Sequence, residues 1–190
     1  MPRVSDAYRV AQHETILDAA EACFSRKGVV HTRVDDIAAE CGLSVGAIYR
    51  YFNSRDAIIA GVAERSRERD RAAMVQLYAR AMSIREQILL GLVYFLGRPA
   101  DWIALDTITI MPAERDREAF VEWVSWMAGR YEELQAEGRI RDDIPASHIA
   151  RQLILTYEGL AVLLSAGEPG VTEALLESIA TILADGLSPR

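Results

Sequence analysis

A chain of 190 residues that is 51% hydrophobic has core material for a small domain and a larger one, which excludes a disordered or fibrous protein. No apolar run reaches the roughly 18 residues a membrane span needs, and none follows the charged start, so a soluble, cytoplasmic protein with reduced thiols at Cys23 and Cys41 is expected. The net charge of −7 lies wholly in residues 56–190, because residues 1–55 hold seven basic and seven acidic side chains; this suits a chain that touches nucleic acid with one end only.

Apolar residues recur three and four positions apart and strand patterns hardly appear, so the class is all-α with about nine helices. The first spans 14–27, with Ile16, Ala20, Cys23 and Phe24 along one stripe and Gly28 as a left-handed stop. Thr32-Arg33-Val34-Asp35 has the layout of a capping box opening a short helix, 34–41, with Val34, Ile37 and Ala38 inward. Gly42 ends it, Leu43 fills the corner, and Ser44 is placed to cap the next helix, 45–52. Two short helices joined by Gly42-Leu43-Ser44 make a helix-turn-helix. Ser54 can cap a long helix, 54–80, whose charged middle, 64–71, reads as a solvated lever. Further helices are expected at 84–96, 100–111, 116–137, 145–165 with Pro145 at its first position, and 171–187.

Taken in order, Ile16-Leu17-Asp18-Ala19-Ala20, Phe24, Gly28, Thr32, Ile37-Ala38, Gly42-Leu43-Ser44, Gly46, Ile48-Tyr49, Tyr51-Phe52 and Ser54-Arg55 resemble the N-terminal signature of the TetR/AcrR family of transcription regulators. The detailed resemblance covers residues 14–59; beyond that it amounts to helix number and order. It implies a DNA-binding domain in residues 1–55 and an effector-binding, dimerising domain in residues 56–190. It also implies a homodimer on a palindromic operator in double-stranded DNA, released by a small-molecule effector.

The motif supports this on its own physics. Ile48 and Phe52, four apart, share the buried face and turn Val45, Gly46, Tyr49 and Arg50 towards the groove or its phosphate walls. Gly46 lacks a Cβ that would hold the backbone off the sugar-phosphate. Tyr49 and Tyr51 offer hydroxyls to phosphate, or else pack; Thr32 and Ser44 sit at helix N-termini, where anions are favoured. Arg50 is placed to read a guanine edge, the alternative being phosphate alone. Arg33, Ala47 and Arg55 complete the candidate DNA-contact set, Arg55 standing where the family often has a phosphate-contacting lysine.

In the C-terminal half, the stripe Phe120, Val124, Met127, Tyr131 and Leu134, with Trp123 at its edge, can line an effector cavity with Tyr94, Trp102 and Met111, or be ordinary core. Asp106 and Glu158 stand in apolar surroundings and call for partners: an arginine such as Arg130 or Arg151, solvent at a helix end, or a cationic ligand. The last two helices are apolar nearly all round, so one face asks for a second subunit. Leu153, Tyr157, Leu160, Leu164, Leu175, Ile179, Ile182 and Leu183 are candidates for that seam, where Gly159 and Ala161 permit close approach. His13, His31 and His148 fall in separate segments with no triad or metal spacing, so neither an enzyme nor a cofactor is expected. The alternatives are a ligand- or protein-binding helical module without DNA function, or an activator.

Overall fold

The computed structural model describes residues 6–80, 82–97 and 114–189, and every regular element among them is an α-helix. The chain divides into two compact units, the first reaching Arg71 and the second beginning at Ala72. The first unit thus extends past residue 55, because Ile58, Ile59 and Val62 pack into the same core as Ile16, Phe24, Ile37 and Ile48.

In the first unit, α1 (Asp6–Lys27) begins two turns earlier than the apolar stripe announces. Residues 6–11 are exposed and carry no periodic signal, although nothing in them breaks a helix. Helix α2 (Val34–Cys41) follows the turn at Gly28 and stops at Gly42; both glycines have φ near +70°, which an L side chain adopts only with strain. Its cap differs from the expected one. Arg33 is the N-cap, and its backbone N–H donates to Asp36 at 2.8 Å. Ser44 caps α3 (Val45–Ile48) by accepting from the N–H of Ala47 at 3.1 Å. The α-helix is shorter than the expected 45–52 because the chain then tightens into three-residue turns, Arg50 N–H to Ala47 O and Tyr51 N–H to Ile48 O.

Helix α4 (Arg55–Tyr78) starts in the first unit, with Ser54 accepting from Ala57 N–H at 3.0 Å, and ends in the second. It approaches α1 closely at Gly61, where a Cβ would stand 3.0 Å from Leu17 Cδ2. Its charged middle is not the solvated lever read from sequence. Ser66 and Asp70 are buried, and Arg65 donates to Asp18 at 2.6 Å, to Glu14 at 3.4 Å and to Glu21. Arg69 joins it on Glu21 at 2.7 Å. Glu14, Asp18 and Glu21 are one stripe of α1, and Arg65 and Arg69 are one turn apart on α4, so opposite charges interlock along the helix pair.

Burial pushes the Glu21 carboxyl up, but the hydrogen bonds and charges of Arg69 and Arg65 outweigh it and leave the group below its ordinary value. A carboxyl depressed by folding stabilises the fold above the unfolded value near pH 4.3, and that contribution fades as pH falls through the lower folded value. Arg65→Met should therefore lower stability by about 1–3 kcal/mol at pH 7, discounted from a fully buried pair because Asp18 is largely exposed. The deficit should shrink below pH 4 in chemical denaturation, and an equal deficit at pH 7 and pH 3 would trace the loss to packing instead.

In the second unit, α5 (Ile84–Leu96) opens with a capping box in which Ser83 and Glu86 satisfy each other's backbone N–H. Among the described residues, helices α6 (Glu114–Ala136), α7 (Ala146–Ser165) and α8 (Glu173–Leu187) follow, with α6 on α7 and α5 against α8 and α7. Pro145 is the N-cap of α7, one position earlier than expected. The core joins Leu92, Val124, Met127, Tyr131, Ile149 and Leu160. The expected helix 100–111, with Trp102, Asp106 and Met111, lies outside the described residues.

Candidate nucleic-acid interface

The two short helices α2 and α3 present one polar face. Ile48 (0% exposed) and Phe52 anchor α3 and its continuation from behind, as their four-residue spacing predicts. On the other side Ser44, Gly46, Tyr49 (46% exposed) and Arg50 stand out into solvent, with Val45 and Ala47 half-buried at the edges. Nothing lies within 4 Å of where a Gly46 Cβ would be, so this turn is open to a large partner. Tyr51 packs partly against the core, which fits the packing alternative for that residue. His13, one turn before the buried stripe of α1, stacks on Phe52 with centroids 4.4 Å apart.

Two expected phosphate contacts are turned inward. Thr32 is 1% exposed, and its hydroxyl donates to Gly28 O at 2.8 Å and Cys23 O at 3.2 Å; β-branching and a position just before the cap suit it to lock the turn, not to reach a ligand. The Arg55 guanidinium donates through Nε to Thr32 O at 3.0 Å and through Nη2 to Val29 O. Its charge is thus spent on backbone carbonyls of the turn between α1 and α2. The other basic side chains nearby are also engaged: Arg26 with Glu40 at 2.5 Å and Lys27 with Asp36 at 2.6 Å. Lys27 and the Arg33 N–H hold the Asp36 carboxyl below its ordinary value, and Arg26 does the same for Glu40. Arg33 and Arg50, both exposed, have no ion pair among the described residues.

With this geometry in view, residues 16–62 match the model of bacterial regulatory proteins of the tetR family. Residues 16–62 thus carry the signature of the tetR-family DNA-binding domain. The chain is 27% identical to an HTH-type transcriptional repressor of Mycobacterium tuberculosis, over 88% of this chain and 90% of that one. It is 28% identical to the HTH-type transcriptional repressor AcnR of Corynebacterium jeikeium, over 92% and 94%. The fold matches that of the transcriptional regulator FadR of Bacillus subtilis, solved with stearoyl-CoA, with a TM-score of 0.74 at 17% identity over 92% of this chain and 99% of that one. The matched helix-turn-helix and the likeness to these repressors support a DNA-binding transcription regulator. No helix among the described residues is long and apolar enough to cross a membrane.

In the second unit the expected effector residues fall into two aromatic groups. Trp123 stacks on Trp126 at 5.1 Å, Trp126 on Tyr78 at 6.4 Å, and the Arg130 guanidinium lies 5.4 Å over the Tyr78 ring. Tyr131 is buried beside Tyr78 and shares a side-chain hydrogen bond with it; burial pushes its hydroxyl well above the ordinary tyrosine value. Met127 is buried core. Tyr94 meets Phe95 edge-on at 5.2 Å, and Phe95 lies 4.6 Å from Tyr157. Sequence reasoning left out Tyr78, the last residue of α4, and Phe95, and placed Trp126 further round from the stripe. Glu158 is half-buried, while Arg130 pairs with Glu133 at 3.0 Å and Arg151 donates to Ser147 O at 3.1 Å.

The expected seam residues divide by their exposure in the single chain. Leu160 and Ala161 (0% exposed) are covered by their own chain, and Leu153, Leu175, Ile179 and Leu183 pack on the second unit's core. Tyr157 packs on Phe95, its hydroxyl donating to Phe95 O at 3.4 Å, and Leu164 is half-buried. What remains outside is Gly159 and Ile182, with Leu155, Val162 and Leu163, which the all-round apolarity of the segment concealed.

Proposed function

We propose that the protein is a repressor that binds a palindromic operator as a homodimer and leaves it when a small molecule occupies the second unit. The observation that carries this reading is the outward face of Ser44, Gly46, Tyr49 and Arg50 on a helix-turn-helix whose apolar side is fully committed to the core. Arg50 reads a base edge in the major groove, Tyr49 and Ser44 hold phosphate, and Arg33 at the start of α2 meets the opposite backbone. That the two relatives matched over most of their length are repressors favours repression over activation.

Dimerisation is supported by the stripe Leu155, Gly159 and Val162 on α7, spaced i, i+4, i+7, with Leu163 and Ile182 also exposed. A self-complementary apolar stripe is the surface a two-fold pair uses. The effector is a molecule with an apolar or aromatic body, taken up beside Tyr78, Trp123 and Trp126. A bound acyl-CoA in the FadR structure shows that this architecture accommodates such a body in a neighbour of the same fold. Occupancy displaces the C-terminal end of α4, and with it the helix-turn-helix that packs on its first turns.

Binding to duplexes flanking the chain's own gene, measured by anisotropy, tests the DNA reading; no retention above random DNA would remove it. The effector reading is tested by screening acyl-CoA and aromatic acids for tryptophan quenching, with and without operator. A coupling of about 1–3 kcal/mol makes the two dissociation constants differ by roughly 5 to 150-fold, equally in both directions. Equal constants would rule out release by this route.

A further inference from the structure

The first residue of α4 reaches back across the fold to the turn ahead of α2. We infer that Arg55 is a positioning residue for phosphate recognition, holding the Val29–Thr32 turn so that Arg33 is presented to the DNA backbone, and does not itself touch phosphate. This rests on the reading of α2 as a phosphate-facing helix.

The geometry is that of a clamp. Arg55 Nε and Nη2 take two carbonyls three residues apart, Thr32 O and Val29 O, so a single planar guanidinium fixes both ends of the turn. The Thr32 hydroxyl pins the same turn to the end of α1 through Gly28 O and Cys23 O. On the other side of the peptide bond, the Arg33 N–H is held by Asp36, whose second oxygen is held by Lys27 at 2.6 Å. The Arg33 main chain is therefore tied to α1, α2 and α4, while its side chain is exposed and has no ion pair among the described residues. A cation whose backbone is fixed before binding loses less freedom on meeting phosphate. Lysine, whose three donors radiate from one nitrogen on a flexible stem, can carry charge to a phosphate but does not present two nitrogens at the fixed spacing with which the guanidinium holds Thr32 O and Val29 O.

The test uses the full chain and a duplex that the wild-type protein selects from a random pool, with affinity followed against salt concentration. Arg33→Ala should weaken binding about tenfold and flatten the logarithmic salt slope by about 1.8, one phosphate in each of two subunits. Arg55→Met should weaken binding to a similar degree. The double variant should bind within about twofold of the weaker single variant and keep the slope of Arg33→Ala, since both substitutions release the same phosphate. Multiplied losses with a slope flattened by a further 1.8 or so would make Arg55 a phosphate ligand in its own right and overturn the inference. Unchanged affinity in Arg55→Met, or in Arg33→Ala while the wild type still binds, would overturn it too, whereas failure of the wild type to select any duplex removes the DNA reading itself. Arg55→Lys decides the matter if the methionine variant does not fold: binding near the Arg33→Ala level supports the clamp, and full wild-type binding overturns it.

Discussion

Val162→Asp is expected to yield a folded monomer that has lost specific DNA binding. Val162 is 57% exposed and Leu155 66% exposed on the same stripe of α7, so a carboxylate there stays hydrated in the single chain and costs its fold little. In a dimer the same group would be buried against an apolar partner surface with no counter-charge, which is prohibitive. A monomer holds one half-site, and its affinity should fall towards the non-specific level, a loss on the order of 10³-fold. Sedimentation and anisotropy on the same sample check both halves of the expectation. Ala161→Asp is the contrasting control: Ala161 is fully covered by its own chain, so that variant should unfold, not dissociate. A Val162→Asp protein that remains dimeric would move the seam away from α7.

The elements of the first unit were legible because short-range signals set them. Gly28 and Gly42 mark left-handed stops, Ser44 and Ser54 cap the helices that follow, and Ile48 and Phe52 fix which side of α3 faces in. What sequence could not give is where a long side chain goes once the fold is made. Arg55 and Thr32 look like phosphate ligands on a linear reading, yet the chain brings carbonyls within their reach that lie 23 to 26 residues away for Arg55 and 4 to 9 for Thr32. The same holds for Arg65 and Arg69, whose partners on α1 are 44 to 51 residues distant. A charge run therefore reads as solvated until the opposing stripe is in place. In the second unit the limit is different. Segments such as 149–164 are apolar nearly all round, so periodicity has little contrast from which to separate own-chain core from seam. Leu155 and Leu160 are alike in sequence and opposite in exposure.

The basic count in residues 1–55 overstates the charge available to DNA, and this sharpens what is asked of Arg50. Arg26 and Lys27 are neutralised by Glu40 and Asp36, and Arg55 is spent on carbonyls, so among the described residues Arg33 and Arg50 carry the positive charge beside the recognition turn that no ion pair takes up. Arg50 sits where the chain tightens after α3, its N–H bonded to Ala47 O at 3.2 Å, which fixes its Cα while leaving the side chain exposed. Arg50→Ala should cost about 1–3 kcal/mol for each base edge that is no longer read, and a dimer on a palindrome gives up two. Preference should relax at one position in each half-site, symmetrically about the centre, when binding sites are reselected from a random pool. Tyr49→Phe should weaken binding as well, but leave the selected sequence unchanged, because a hydroxyl on phosphate carries no base information. If Arg50→Ala weakens every sequence alike, Arg50 holds phosphate, and base reading passes to the small side chains Val45 and Ala47, whose packing on thymine methyl groups would then set the operator.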